Sequence, residues 1–259
     1  MSMEKHRAAW HALNKVDGVQ SFVYPESARP DIYPLFAAQP GRILDVGCSS
    51  GAVGASLKTN FPGAWVWGCE LDVNAAQIAE PRLDFINVND PREWSAEELS
   101  LLKSVDTILF LDVLEHMSNP WGLLQFFGNH ISSETQLIIS LPNVAYAMVL
   151  KELADGFWNY ASSGILDVTH LRFFTLYEMK RMFYQTGFRI EEQLSLSSAT
   201  ANITGDYPLH LDMGNIRITV QNEAHLRSLM TIQYGFRLRK ASDAMLNAEE
   251  MNFRYGEHL

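Results

Sequence analysis

The stretch ILDVGCSSGAVG, residues 43–54, passes from an unbroken apolar run into a loop of small residues. Short apolar runs bounded by turn residues read as strands covered on both faces, as in a parallel sheet. The small residues after Val46 then form the turn from that strand into a helix. Gly47, Gly51 and Gly54 permit positive φ or close backbone approach, and Ser49 and Ser50 offer polar contacts near a helix N-terminus. Three residues separate Gly47 from Gly51, which departs from the G-x-G-x-x-G of a dinucleotide site, and no G-K-[ST] follows, which excludes a P-loop. Asp45 is badly placed against a phosphate and suits an ammonium or a set of backbone donors. A ligand carrying a cation beside a nucleoside matches both features.

Similar runs recur at RILDV (42–46), AWVWGCEL (64–71), LDFINV (83–88), DTILFLD (106–112) and QLIISLP (136–142), separated by polar, helix-like stretches. This alternation predicts an α/β doubly wound fold with helices on both faces of a mostly parallel sheet. TLYEMKRMFYQTG (175–187) has one apolar face through Met179, Met182 and Phe183, and Gly187 suits its stop. FRIEEQLSL (188–196) and TIQYGFRLRK (231–240) read as strands, while residues 197–230 lack clean periodicity. Residues 1–40 and the last 19 look like appendages to this core.

The chain has 259 residues, 47% hydrophobic and 19% charged, enough for one substantial core with insertions. A net charge of -10 and no basic run longer than RLRK (237–240) argue against a nucleic-acid partner. No segment approaches the roughly 18 apolar residues of a membrane span, and the first thirty residues lack a signal-peptide core. Two cysteines, Cys48 and Cys69, fit free thiols in a reducing compartment, so the expected location is cytoplasmic.

The second strand ends in GCELD, with Glu70 placed 19 residues after Gly51 to accept both hydroxyls of a ribose. NAD would use such a carboxylate too. Asn89 and Asp90, at the end of the third strand, offer an acceptor to an adenine amino group, although each of these residues also reads as a loop cap.

LDVGCSSGAVG, the acidic CELD and FLDVLEHMSNP followed by LIISLPN resemble the class I S-adenosylmethionine-dependent methyltransferases over about residues 42–240. GILDVTHLRFFT (164–175) is similar to a small-molecule branch often found beside glycosyltransferases and biosynthetic enzymes. The resemblance implies a Rossmann-like seven-stranded sheet whose last strand, TIQYGFRLRK, is antiparallel. It also implies N-terminal cap helices over residues 1–40 and a methyltransferase domain over 41–259 with a lid or substrate insertion at about 197–230. The usual GCGxG is GCSSG here, with Ser49 in place of a glycine.

Carried over by position, Asp45, Gly47, Cys48, Ser49 and Gly51 surround the methionine end of S-adenosyl-L-methionine. Glu70 holds the ribose, Asn89 and Asp90 the adenine, and Leu71 packs on its face. Leu111 and Asp112 open the stretch to His116 that lines the reactive methyl. YPESARPDIYPL resembles the helix that closes over the methionine end, with Tyr24 and Arg29 near the carboxylate.

Methyl transfer needs a base only where the nucleophile carries a high-pKa proton, and His116 and His170 are the imidazoles available for it. Glu115, His116 and His170 lack a tight ligand spacing, so no metal is expected. Phe157, Trp158, Tyr160, Tyr207 and His210 suggest an apolar or ring-shaped acceptor, or simply pin a lid to the core. The expected activity is O-methylation of a hydroxyl or carboxyl on a small metabolite or saccharide. A non-catalytic cofactor-binding partner and an NAD-dependent oxidoreductase are the alternatives, and a homodimer is compatible with the sequence.

Overall fold

A computed structural model describes residues 26–199, 203 and 205–242. Seven strands form one sheet: β1 (Arg42–Val46), β2 (Trp65–Cys69), β3 (Phe85–Asn87), β4 (Thr107–Leu111), β5 (Gln136–Pro142), β6 (Phe188–Ser198) and β9 (Thr231–Lys240). Their order is β3-β2-β1-β4-β5-β9-β6. The first five pair in parallel, and β9 runs antiparallel between β5 and β6. The strand order reverses between β1 and β4, which places a crevice at their carboxyl ends.

The unbroken apolar runs reflect burial on both faces. In β1, Leu44 and Val46 join a core with Trp67, Phe110, Phe127, Phe183 and Phe236, while Ile43 points to the opposite core with Leu57, Val66, Leu109 and Ile138. Each large apolar side chain so buried contributes about 1.5–3 kcal/mol.

Helices cover the sheet: α1 (Ala52–Asn60), α2 (Val73–Ala79), α3 (Ala96–Leu102), α4 (Pro120–His130), α5 (Ala147–Ala154) and α6 (Leu176–Gln185). Thr175 caps α6 by accepting from Glu178 N, and Gly187 beyond it adopts φ +88°. Among the described residues no helix is long and apolar enough to cross a membrane.

The described part of the expected N-terminal cap holds a six-residue 3-10 helix, Pro30–Leu35. Pro34 inside it donates no backbone hydrogen bond, which suits a short tight turn and not a continuing α-helix. Tyr24 lies outside the described residues. Residues 197–230 also hold regular structure: an antiparallel pair, β7 (Leu209–Asp212) and β8 (Arg217–Val220), then α7 (Glu223–Met230) capped by Asn222. Strands of four residues are too short to show a pattern. Val220 and Leu229 pack with Ala147 of α5 in a satellite core.

Asn143 ties this satellite to the sheet. It is fully buried, and its Nδ2 donates to Ser228 O at 3.0 Å and Thr231 O at 2.8 Å, while its Oδ1 accepts from Ala145 N at 3.1 Å. Stranding a buried polar group costs about 1–3 kcal/mol. Asn143→Ala should therefore lower unfolding free energy in urea by roughly 2–3 kcal/mol; a change under about 0.5 kcal/mol would remove Asn143 as the anchor.

Candidate active site

The loop after β1 is built on backbone. Gly47 N and Cys48 N both donate to Cys69 O, at 2.7 and 3.2 Å, locking the loop to the end of β2. Gly47 has φ +71°, and a Cβ there would lie 2.7 Å from Val113 Cγ2. Gly51 is the N-cap of α1 at φ +77°, and no side chain caps that helix, which leaves its leading N–H groups to water or a ligand. The Cys48 side chain is buried in the core near Gly68, so this residue faces the loop through its backbone. Burial first, then the Asp45 charge, pushes its thiol far above the ordinary range.

Glu70 closes the loop from β2. Its Oε2 accepts from Ser49 N at 2.9 Å and its Oε1 from Asp72 N at 2.9 Å. Ser49 occupies φ +51°, a left-handed conformation that costs a non-glycine residue roughly 1–2 kcal/mol. The sequence departure from GCGxG therefore falls where glycine has its largest advantage, and the bond to Glu70 holds the serine there.

Asp45 is 2% exposed, and its Oδ2 has no hydrogen-bond partner. Burial raises its pKa to about 7, aided by Glu70 and opposed by Arg29. Ser49 Oγ is buried without a partner as well. Leu71 is 61% exposed beside Glu70, an uncovered apolar surface at the expected adenine position. Asn89 is exposed too, whereas Asp90 is already engaged: its Oδ1 accepts from Arg92 N and Nε and its Oδ2 from Arg92 Nη2.

Arg29 and Asp112 meet across the crevice. Arg29 Nη1 donates to Asp112 Oδ2 at 2.7 Å, and its Nε and Nη2 reach Asp31. Burial alone would lower the guanidinium pKa, but the two carboxylates outweigh it and hold it raised. Asp112 Oδ1 accepts from Ser140 Oγ at 2.9 Å and from Gln233 Nε2, so this residue pins β4 to β5 and β9. Leu111, half-buried, ends β4 just before it. Among the described residues the non-glycine residues at positive φ are Arg29, Ser49 and Asp112, all of them candidate cofactor residues. Such strain concentrates where structure serves a ligand.

The third group follows β4. Glu115 is 1% exposed, its Oε2 has no partner, and burial, reinforced by Asp112, holds its carboxyl well above the usual range. The carbonyl of Glu115 accepts from Leu171 N and Arg172 N, at 2.8 and 3.0 Å, which docks the THLRFF segment onto the sheet. The His170 side chain is 6% exposed; its Nδ1 lies 2.9 Å from Ile165 O and its Nε2 4.0 Å from Glu115 Oε1. Since a carbonyl only accepts, Nδ1 carries a hydrogen, and in the neutral ring the lone pair is on Nε2. His116 is exposed and sets its ring at 74° to that of His170, with centroids 4.7 Å apart. Glu115, which spacing alone does not single out, thus joins two histidines.

The chain matches a family model described as Methyltransferase domain over residues 23–193. No curated protein sequence matches it. Among solved structures it is similar to a chain from the Haloferax volcanii complex of the Trm112 methyltransferase activator, at 15% identity and TM-score 0.53, covering 93% of this chain and 97% of that one. It is also similar to magnesium protoporphyrin IX methyltransferase from Synechocystis PCC 6803, at 12% identity and TM-score 0.51, covering 93% and 89%. The mitomycin 7-O-methyltransferase MmcR shares 13% identity at TM-score 0.51 over 83% of this chain, which spans only 53% of MmcR. The chain belongs to the methyltransferase domain family and is an S-adenosylmethionine-dependent methyltransferase. The site fits that cofactor: Asp45 Oδ2 and Ser49 Oγ are buried without partners, as acceptors awaiting an ammonium would be, and Leu71 is uncovered.

Asp45 gives a pH prediction. An unfolded aspartate titrates near 3.9 and the folded one near 7, so the folded chain keeps the proton over that interval. Its contribution to stability is greatest below about pH 4 and falls as pH rises toward 7, by roughly 2–4 kcal/mol. Asp45→Asn should flatten this decline in urea unfolding measured across the same range; an unchanged slope would contradict the buried-carboxyl assignment.

Proposed function

We propose that this methyltransferase transfers its methyl group to an oxygen, hydroxyl or carboxyl, of a small metabolite or saccharide. The observation that carries the reading is His170 Nε2, a lone pair held beside a buried carboxyl at the end of β4. S-Adenosylmethionine, when bound, would supply a sulfonium methyl whose carbon a well-aligned nucleophile attacks in line, with the thioether sulfur as the leaving group. The chain's own residues bind, orient and deprotonate.

In this reading Asp45 and Ser49 take the ammonium end, Glu70 the ribose and Leu71 the adenine face, with Asn89 beside it. Asp90 joins them only if it gives up part of its contact with Arg92. Arg29 spends three of its five N–H groups on Asp31 and Asp112, which leaves two for the cofactor carboxylate. Asp112 and Leu111 shape the wall near the methyl. Tyr24 remains assigned by resemblance alone.

His170 Nε2 is suited to take a hydroxyl proton as the methyl arrives. A protonated Glu115 can return a hydrogen bond to the acceptor or to the imidazole. Exposed Phe157, Tyr160 and Tyr207, with Trp158 edge-on to Phe173 at 5.1 Å, support an apolar or ring-shaped acceptor under a lid formed by the insertion. The GILDVTHLRFFT segment supports the small-molecule branch. Buried free thiols at Cys48 and Cys69 agree with a reducing, cytoplasmic setting.

Two substitutions test this. Glu70→Ala should weaken S-adenosylmethionine binding by roughly 1.5–3 kcal/mol, tenfold to somewhat over a hundredfold, in calorimetry on a folded variant; equal affinity would take Glu70 off the ribose. His170→Ala should lower kcat about a hundredfold or more with cofactor affinity nearly intact if the acceptor is a hydroxyl. With an ionised carboxylate acceptor, the same change should raise KM and leave the rate without an inflection near the histidine pKa. Wild-type kcat and KM would remove His170 from the site.

A further inference from the structure

We propose that Glu115, His116 and His170 bind one divalent first-row transition ion, with zinc the best match, on the acceptor side of the site. Each residue brings one ligand atom, and the three atoms lie within 4.8 Å of one another. Ligands at about 2.0–2.2 Å from a tetrahedral zinc are roughly 3.4 Å apart, so closure asks these side chains to contract by roughly 1 Å. The expectation of no metal rested on spacing along the chain. His170 arrives from a loop that hydrogen-bonds to the Glu115 carbonyl, a proximity that spacing does not reveal.

The surroundings are those a metal-ligating histidine needs. His170 donates from Nδ1 to Ile165 O, which fixes its lone pair on Nε2, the nitrogen that faces Glu115. His116 Nδ1 lies 3.0 Å from Thr169 Oγ1 and 3.3 Å from Thr169 O. The Thr169 hydroxyl hydrogen goes to Asp167 Oδ1 at 2.7 Å, so both threonine oxygens accept from His116 Nδ1, and in the neutral ring the lone pair is on Nε2. Ligating histidines characteristically tie down their other nitrogen in this way.

The second observation is Glu115 itself. Its Oε2 is buried without a hydrogen-bond partner, a costly state for a carboxyl oxygen that a bound cation relieves. Two imidazoles and one carboxylate form a borderline donor set that favours zinc over the oxygen-seeking magnesium or calcium. Three protein ligands leave an open position, and the exposed His116 marks the side from which ion and acceptor enter.

The role of the ion rests on the methyltransferase reading, although its binding does not. An acceptor hydroxyl in the open position would bond to the metal through oxygen and release its proton to water, with nothing oxidised or reduced. His170 is then a ligand, and the ion does the work assigned above to a base.

The test uses the full chain stripped with a chelator, dialysed, and titrated with zinc by calorimetry, with bound metal counted by mass spectrometry. About one equivalent should bind at micromolar affinity or tighter, and cobalt should give visible d–d absorption at the same site. Glu115→Gln and His170→Ala should each weaken zinc binding at least about tenfold, while His210→Ala, at an exposed position in the insertion, should not. Circular dichroism and cofactor affinity report whether each variant is folded. A wild type that binds no zinc, or variants that bind it undiminished, would overturn the proposal and leave a shared proton as the occupant of the cluster. Cofactor binding without zinc binding sinks the metal alone; zinc binding without cofactor binding sinks the reading of its role.

Discussion

Burial of carboxyl groups at the carboxyl ends of β1 and β4 is the constraint on which the rest of the site depends. Among the described residues four buried side-chain polar atoms lack a hydrogen-bond partner, and three belong to Asp45, Ser49 and Glu115. The fourth, Trp94 Nε1, sits in the core stack with Trp67. Folded chains rarely leave such atoms unsatisfied, and these three lie where the proposed ligands would supply partners. Asp45 and Glu115 keep raised pKa values because burial disfavours their charge, a penalty that a cationic ligand removes.

Around these carboxyls the chain accepts backbone strain and holds it with hydrogen bonds. Ser49 stays left-handed through Glu70, and Asp112 through Ser140 and Gln233. Arg29 ties the N-terminal segment to the end of β4. Strand β9 takes part through Gln233, so the antiparallel strand reaches into the site as well as joining β6 to the parallel strands. The antiparallel β9 also anchors the satellite core at Asn143, so sheet topology, insertion and site share a frame.

The strands were legible in the sequence because burial on both faces leaves unbroken apolar runs, and β5 and β9 have the bounds those runs suggest. The third run, 83–88, was legible as well, although β3 covers only three residues of it, whereas β7 and β8, four residues each in a stretch without clean periodicity, were not. At the site, Asp45 and Glu70 stood out because acidic residues at strand ends are conspicuous. The pairing of Arg29 with Asp112, the capture of Asp90 by Arg92 and the meeting of Glu115 with His170 depend on contacts between distant segments, which no local pattern encodes.

The central claim is that a cationic cofactor completes the buried carboxyl of Asp45. Calorimetry of S-adenosylmethionine binding at about pH 6, repeated in buffers of different ionisation heat, counts the protons exchanged on binding. A carboxyl with its pKa near 7 is mostly protonated there and must ionise against an ammonium, so binding should release close to one proton, and Asp45→Asn should abolish that release. Binding with no net proton release, or with the same release in Asp45→Asn, would contradict the account.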